Sequence, residues 1–168
     1  MSKSSPFVLQ FSGLKLGAHT FEFVLEETFF DSCSSFGVTS GNGNAIAVLE
    51  KKETMMLLSF NLSASINVLC DRCNDSLTLA VQGSMELIYK FGTEESLDES
   101  LVILPHDSYQ IDLFHPLYEL FVVSLPSRFI HENDGCDPEI LKYLTPSKEE
   151  PETKNEVDPR WSALSKLN

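Results

Sequence analysis

From Met56 to Cys70 every second residue is apolar: Met56, Leu58, Phe60, Leu62, Ala64, Ile66, Val68 and Cys70. Ser59, Asn61, Ser63, Ser65 and Asn67 stand between them. A second run keeps the same period at odd positions, with Leu77, Leu79, Val81, Met85, Leu87, Tyr89 and Phe91 set against Thr78, Gln82, Ser84, Glu86 and Lys90. A period of two is that of a strand with one buried face. The two runs are joined by "DRCNDS" and predict a long antiparallel hairpin. At ~3.3 Å per residue each arm approaches ~50 Å, longer than most strands, so bends are expected near Ser63–Ala64 and Gly83. The fold class that follows is α+β, mainly antiparallel β, with a curved, partly closed, barrel-like sheet.

The flanking segments fit that class. "HTFEFVLEETFF" (19–30) alternates Phe21, Phe23 and Leu25 against Glu22 and Glu26, and "AIAVLEKK" reads as a further strand. A cluster of Ser, Gly and Asn from Ser32 to Asn44 separates them and predicts a connection. "SLVILP" reads as a short strand stopped by Pro105. The period then changes. In "QIDLFHPLYELFVVSLP" Asp112 is a candidate N-cap and Pro116 falls in the first turns, where its missing N–H is tolerated. Leu113, Leu117, Leu120 and Phe121 form one stripe and Phe114, Tyr118, Val122 and Leu125 a second, so this helix should be buried against the sheet.

Residues 1–144 are therefore expected to form a single α+β domain. The run 145–158, "TPSKEEPETKNEVD", is charged, carries two prolines and is expected to be a flexible acidic linker. It leads to 159–168, a short amphipathic C-terminal helix in which Trp161, Leu164 and Leu167 fall three apart, a candidate partner-docking face.

The 168 residues carry a net charge of −13. Such a surface repels phosphate backbones and anionic membranes and favours basic protein partners. The apolar run at Pro6–Phe11 is too short for the core of a signal peptide, and no later stretch approaches a membrane span, so a cytoplasmic location is expected.

Two of the four cysteines, Cys70 and Cys73, sit at the hairpin turn. In a reducing compartment a C-x-x-C pair points to a metal knuckle or a redox dithiol before a structural disulfide. Downstream, "LPSRFIHENDGCDPE" places His131 and Cys136 in the loop after the helix. Cys70, Cys73, His131 and Cys136 would make a closed tetrahedral Cys₃His set for a structural Zn2+, with no open position for catalysis. Two other readings stay open: free cysteines packed as small hydrophobes, and a dithiol, although Cys73 does not stand at a helix start that would lower its pKa. Cys33, in the Ser-rich stretch, has no companion and reads as a bystander.

"CDRC" after a long strand, "IDL" opening a helix, "LPSRFIHENDGC" and the terminal "DPRWSALSKL" together resemble the YceD family, the large ribosomal RNA subunit accumulation proteins. The resemblance runs from about residue 45 to the end and rests on Cys70, Arg72 and Cys73, on Leu125 and Pro126, on His131 and Cys136, and on the last helix. The chain departs from relatives at Phe129, where a second proline is common, and at Asn74, where leucine is. What the resemblance implies is a bacterial or bacterial-derived cytosolic factor for the synthesis, processing or stability of 23S rRNA and for large-subunit assembly.

The expected function is accordingly non-enzymatic and carried by contacts with a basic large-subunit ribosomal protein or assembly factor, with rRNA contact indirect or weak. One alternative is an RNA-processing hydrolase, but the carboxylates lie mostly in loops and the charged tail, and His106 and His115 lack an evident partner. Another is a zinc-knuckle RNA-binding module, for which Arg72 and Arg128 offer only a small cationic patch.

Overall fold

A computed structural model of the chain describes residues 7–93, 98, 100–132 and 135–144. The elements in order are β1 (Val8–Gln10), β2 (Gly17–Leu25), α1 (Glu27–Asp31), β3 (Val38–Lys51), β4 (Met55–Leu69), β5 (Ser76–Phe91), β6 (Leu101–Leu104), β7 (Gln110–Asp112), α2 (Phe114–Ser124) and α3 (Pro138–Leu144). Strands β2 to β6 form one sheet in sequence order, and β1 pairs with β7 in a small second sheet.

The hairpin is β4–β5. Its ladder runs from Met55↔Lys90 to Leu69↔Ser76 without a bulge, pairing Leu58 with Leu87, Ala64 with Val81 and Ile66 with Leu79. Even positions of β4 and odd positions of β5 share one face because an antiparallel register with an odd index sum superimposes their pleats. That face is the core: Met56, Leu58, Phe60, Ile66, Val81 and Tyr89 are buried on it.

The sheet is open and mixed. It does not close into a barrel, and β6 pairs with β5 in parallel, from Ile88↔Leu101 to Phe91↔Leu104. The expected partial closure is thus corrected, and the mainly antiparallel pairing takes in one parallel strand. The apolar run in "SLVILP" marks a short strand but carries no information on strand direction.

Two further boundaries differ from expectation. The strand starting near His19 stops at Leu25, and "ETFFD" turns into α1, burying both Phe29 and Phe30 where a strand would expose one of them. Half of the Ser, Gly and Asn cluster is strand: β3 begins at Val38 and pairs with β4 throughout, after an irregularity between Val38 and Ser40. Its glycines serve close approach. A Cβ on Gly41 would lie 2.8 Å from the ring of Phe30, and one on Gly43 would lie 2.6 Å from the carbonyl of Ser63.

Helix α2 lies where its two stripes require, with Leu117, Leu120 and Phe121 buried and Phe114, Tyr118 and Val122 packed at the margin of the core. Asp112 precedes the cap position, Leu113, and its Oδ1 accepts from the Phe114 N–H at 2.9 Å. Phe29, Phe30 and Phe121 meet edge to face at centroid separations of 5.4–5.7 Å, which locks α1 against α2 over the sheet. Lys51 secures the opposite end by donating to the carbonyls of Phe11 and Leu14 at 2.9 and 3.0 Å. No helix among the described residues is long and apolar enough to cross a membrane. The linker 145–158 and the C-terminal segment 159–168 lie outside the described residues; α3, a helix not anticipated from the pattern, precedes them.

Gly83 stands at the crossing of α2 over β5, where a Cβ would collide with Ser124 Oγ and lie 3.0 Å from Leu120. Its role here is to let the helix approach the strand. Gly83→Val should lower stability by about 1–3 kcal/mol in urea unfolding, whereas Ala80→Val on the outward face should change it by under about 0.5 kcal/mol.

Candidate metal centre

The turn between β4 and β5 is built to turn sulfur inward. Cys70 accepts the Asn74 N–H on its carbonyl at 2.8 Å and donates its own N–H to Asp75 at 2.8 Å. Asn74 takes φ 62°, a left-handed conformation that asparagine tolerates better than most residues. The Arg72 N–H points at Cys70 Sγ at 3.4 Å. Arg72 itself is exposed.

The loop leaving α2 comes back to this turn and is clasped to it. Asp71 N–H donates to the Phe129 carbonyl at 2.7 Å, and Phe129 N–H donates to Asp71 Oδ2 at 2.7 Å. Two residues further on, His131 Nε2 lies 3.3 Å from the carbonyl of Ser76. A carbonyl only accepts, so this contact places the ring proton on Nε2 and leaves the Nδ1 lone pair free. That lone pair faces sulfur: Nδ1 is 3.5 Å from Cys73 Sγ and 3.7 Å from Cys136 Sγ. Gly135 N–H donates to Glu132, bringing Cys136 around to within 3.8 Å of Cys70, sulfur to sulfur.

The structure therefore brings together all four candidate ligands. Their donor atoms lie within 4.8 Å of one another, and all four cysteines of the chain are free thiols. An ion bound tetrahedrally, ~2.3 Å from sulfur and ~2.0–2.1 Å from nitrogen, would hold sulfur pairs ~3.8 Å and sulfur–nitrogen pairs ~3.6 Å apart. The observed 3.8 Å between sulfurs and 3.5 and 3.7 Å from sulfur to nitrogen match those edges. These residues could hold a metal ion.

The thiols of the cluster are not equivalent. Burial acts to raise Cys70, but hydrogen bonds from the backbone of Cys73, Arg72 and His131 and from the Cys73 side chain outweigh it and lower its pKa to about 6. Burial, then the hydrogen bonds and the charges of Cys70 and Cys73, raise Cys136 to about 11. Thiolates this close repel one another, and a bound cation would relieve that repulsion.

Cys70, Cys73 and Cys136 are buried as a small cluster apart from the main core, covered in part by Ile140 and Leu141 of α3. Helix α3 has no fully buried residue. The clasp at Asp71, the left-handed turn at Asn74 and this apolar cover were not singled out from sequence; the Asp in "CDRC", the Asn after it and the adjacent Ile and Leu after "DPE" were their traces. Cys33 stands apart from the cluster as a fully buried core residue beside Phe29, and burial raises its pKa to about 11. His115 is exposed and pairs with Glu119 at 3.0 Å, while His106 stacks on Phe91. Trp161, Leu164 and Leu167 lie outside the described residues.

Asp71→Ala should release the clasp, costing about 1 kcal/mol in unfolding experiments and speeding hydrogen exchange at the Phe129 amide, with the amides of β2 unaffected.

No curated protein and no solved structure matches the chain. A protein-family model described as large ribosomal RNA subunit accumulation protein YceD does, over residues 58–168. The match begins within β4, later than the resemblance read from the sequence, and takes in the C-x-x-C turn, α2 and the returning loop. Because it spans more than half of the chain and holds all four clustered donors, this protein belongs to the YceD family.

Proposed function

We propose that the protein is a non-enzymatic, cytoplasmic factor in the synthesis, processing or stability of 23S rRNA and in large-subunit assembly, acting through contacts with a basic ribosomal protein or assembly factor. The observation that carries this reading is the family match over residues 58–168. The net charge of −13 supports a basic protein partner over direct grip on RNA, since like charge opposes phosphate contact and opposite charge steers protein encounter. On this reading Trp161, Leu164 and Leu167 form a partner-binding face.

In the same proposal the four donors hold a structural zinc ion. Three thiolates and one imidazole make a soft set suited to zinc and ill suited to magnesium, calcium or manganese. Four protein ligands complete the tetrahedron, so the ion would staple the returning loop to the hairpin turn and leave no position for a reacting water. Purified protein should carry close to one equivalent of zinc. A Cys70→Ser, Cys73→Ser variant should lose it and melt several degrees lower, while Cys33→Ala keeps the metal; metal-free protein with an unchanged melting curve would refute the staple.

Affinity capture from the native cytosol, with and without nuclease, tests the partner. Large-subunit proteins should remain bound after RNA is digested, and Trp161→Ala should abolish their capture without moving the melting curve. Partners that vanish with nuclease treatment would instead favour direct RNA recognition.

A further inference from the structure

The core side of the five-stranded sheet is covered by α1 and α2, which approach it at Gly41 and Gly83. The opposite side carries the alternate set of residues, and among the described residues no helix packs on it. Register places these side chains in rows across the strands. Ala18, Glu50, Leu57, Ile88 and Leu101 form one row, Thr20, Val48, Ser59 and Glu86 the next, and Glu22, Ile46, Asn61 and Ser84 a third.

Two hollows adjoin on this face. One of about 430 Å³ is lined by Val48, Leu57 and Ile88 with Glu50 and Glu86 at its sides. The other, of about 440 Å³, is lined by Ile46 and by the amides and hydroxyls of Asn44, Asn61, Ser63, Gln82 and Ser84. Val48, Leu57 and Ile88 are half-buried, although no helix among the described residues packs over them. Glu22 and Glu86 have no ion pair among the described residues, and Glu50 has only the exposed Lys52 at 3.6 Å. Lys90, one rung past Ile88, is the one cation at an outward position of these described strands.

We propose that this outer face is a docking surface for an extended, basic protein segment in which aliphatic residues alternate with lysine or arginine. Aliphatic side chains fill the hollow over Leu57 and Ile88. The flanking cations meet Glu50 and Glu86, and the segment's backbone polar groups run on over the amide-lined hollow. A second copy of the chain would oppose Glu22, Glu50 and Glu86 with the same carboxylates, and RNA would oppose them with phosphates. The inference rests on the basic-partner reading above and gives it a place.

The test is an NMR titration of the full-length protein with an octapeptide alternating lysine and valine, and with its glutamate–valine counterpart. Amide shifts should concentrate at Val48, Leu57, Ser59, Glu86 and Ile88 for the lysine peptide alone. A Glu50→Lys, Glu86→Lys variant with an unchanged melting curve should bind about tenfold more weakly. Equal binding of both peptides, shifts gathered elsewhere, an unweakened variant, or concentration-dependent self-association at these same residues would each overturn the proposal. Capture of purified large-subunit proteins separates the two readings. Capture retained by the variant sinks the docking surface alone, whereas peptide binding at the face without any such capture supports the surface and sinks the partner reading.

Discussion

The ladder between β4 and β5 is the member on which the rest of the molecule hangs. It fixes fifteen residues of one strand against the other in a single register, and a slip of one residue would turn either Leu58, Phe60 and Ile66 of β4 or Val81 and Tyr89 of β5 out to water. At ~1.5–3 kcal/mol for each fully buried large apolar side chain, that penalty excludes neighbouring registers. Strand β3 lies along one side of this ladder and β6 along the other, and α2 packs across its inward face.

Length also gives the hairpin a far end that the main core does not reach. The turn after β4 would expose two thiols there, and a second, smaller assembly forms in place of a core. Asp71 and Phe129 exchange hydrogen bonds, His131 is oriented by the Ser76 carbonyl, and Cys136 closes the set against Cys70. Ile140 and Leu141 of helix α3 pack against this assembly. The loop leaving α2 is held by Leu125 and Phe129 against the main core, by the Asp71 clasp and by these four side chains.

The chain's acidity acquires a direction from the same architecture. The covered face of the sheet is aliphatic and aromatic, while the outward face sets single carboxylates around half-buried Val48, Leu57 and Ile88. Negative charge next to accessible apolar surface selects partners that offer both cations and aliphatic groups. The match to the large ribosomal RNA subunit accumulation family is the ground on which a partner of opposite charge is proposed.

Period was enough to read the long hairpin, its inward residues and the buried α2, and C-x-x-C spacing with a downstream His and Cys named four candidate donors, because these are local properties of the chain. Boundaries set by packing were not legible. "ETFFD" is helical because both Phe29 and Phe30 are needed against Phe121, and Gly41 and Gly43 lie in a strand because ring and backbone press on them. The direction of β6, the pairing of β1 with β7 and the open edges of the sheet likewise depend on contacts between residues far apart in sequence. The sequence by itself determined which residues could face inward and which could donate to a metal. Only the tertiary structure decided where they meet, since the distance from Cys70 to Cys136 is set by the path of the loop leaving α2 and by the two hydrogen bonds that clasp it.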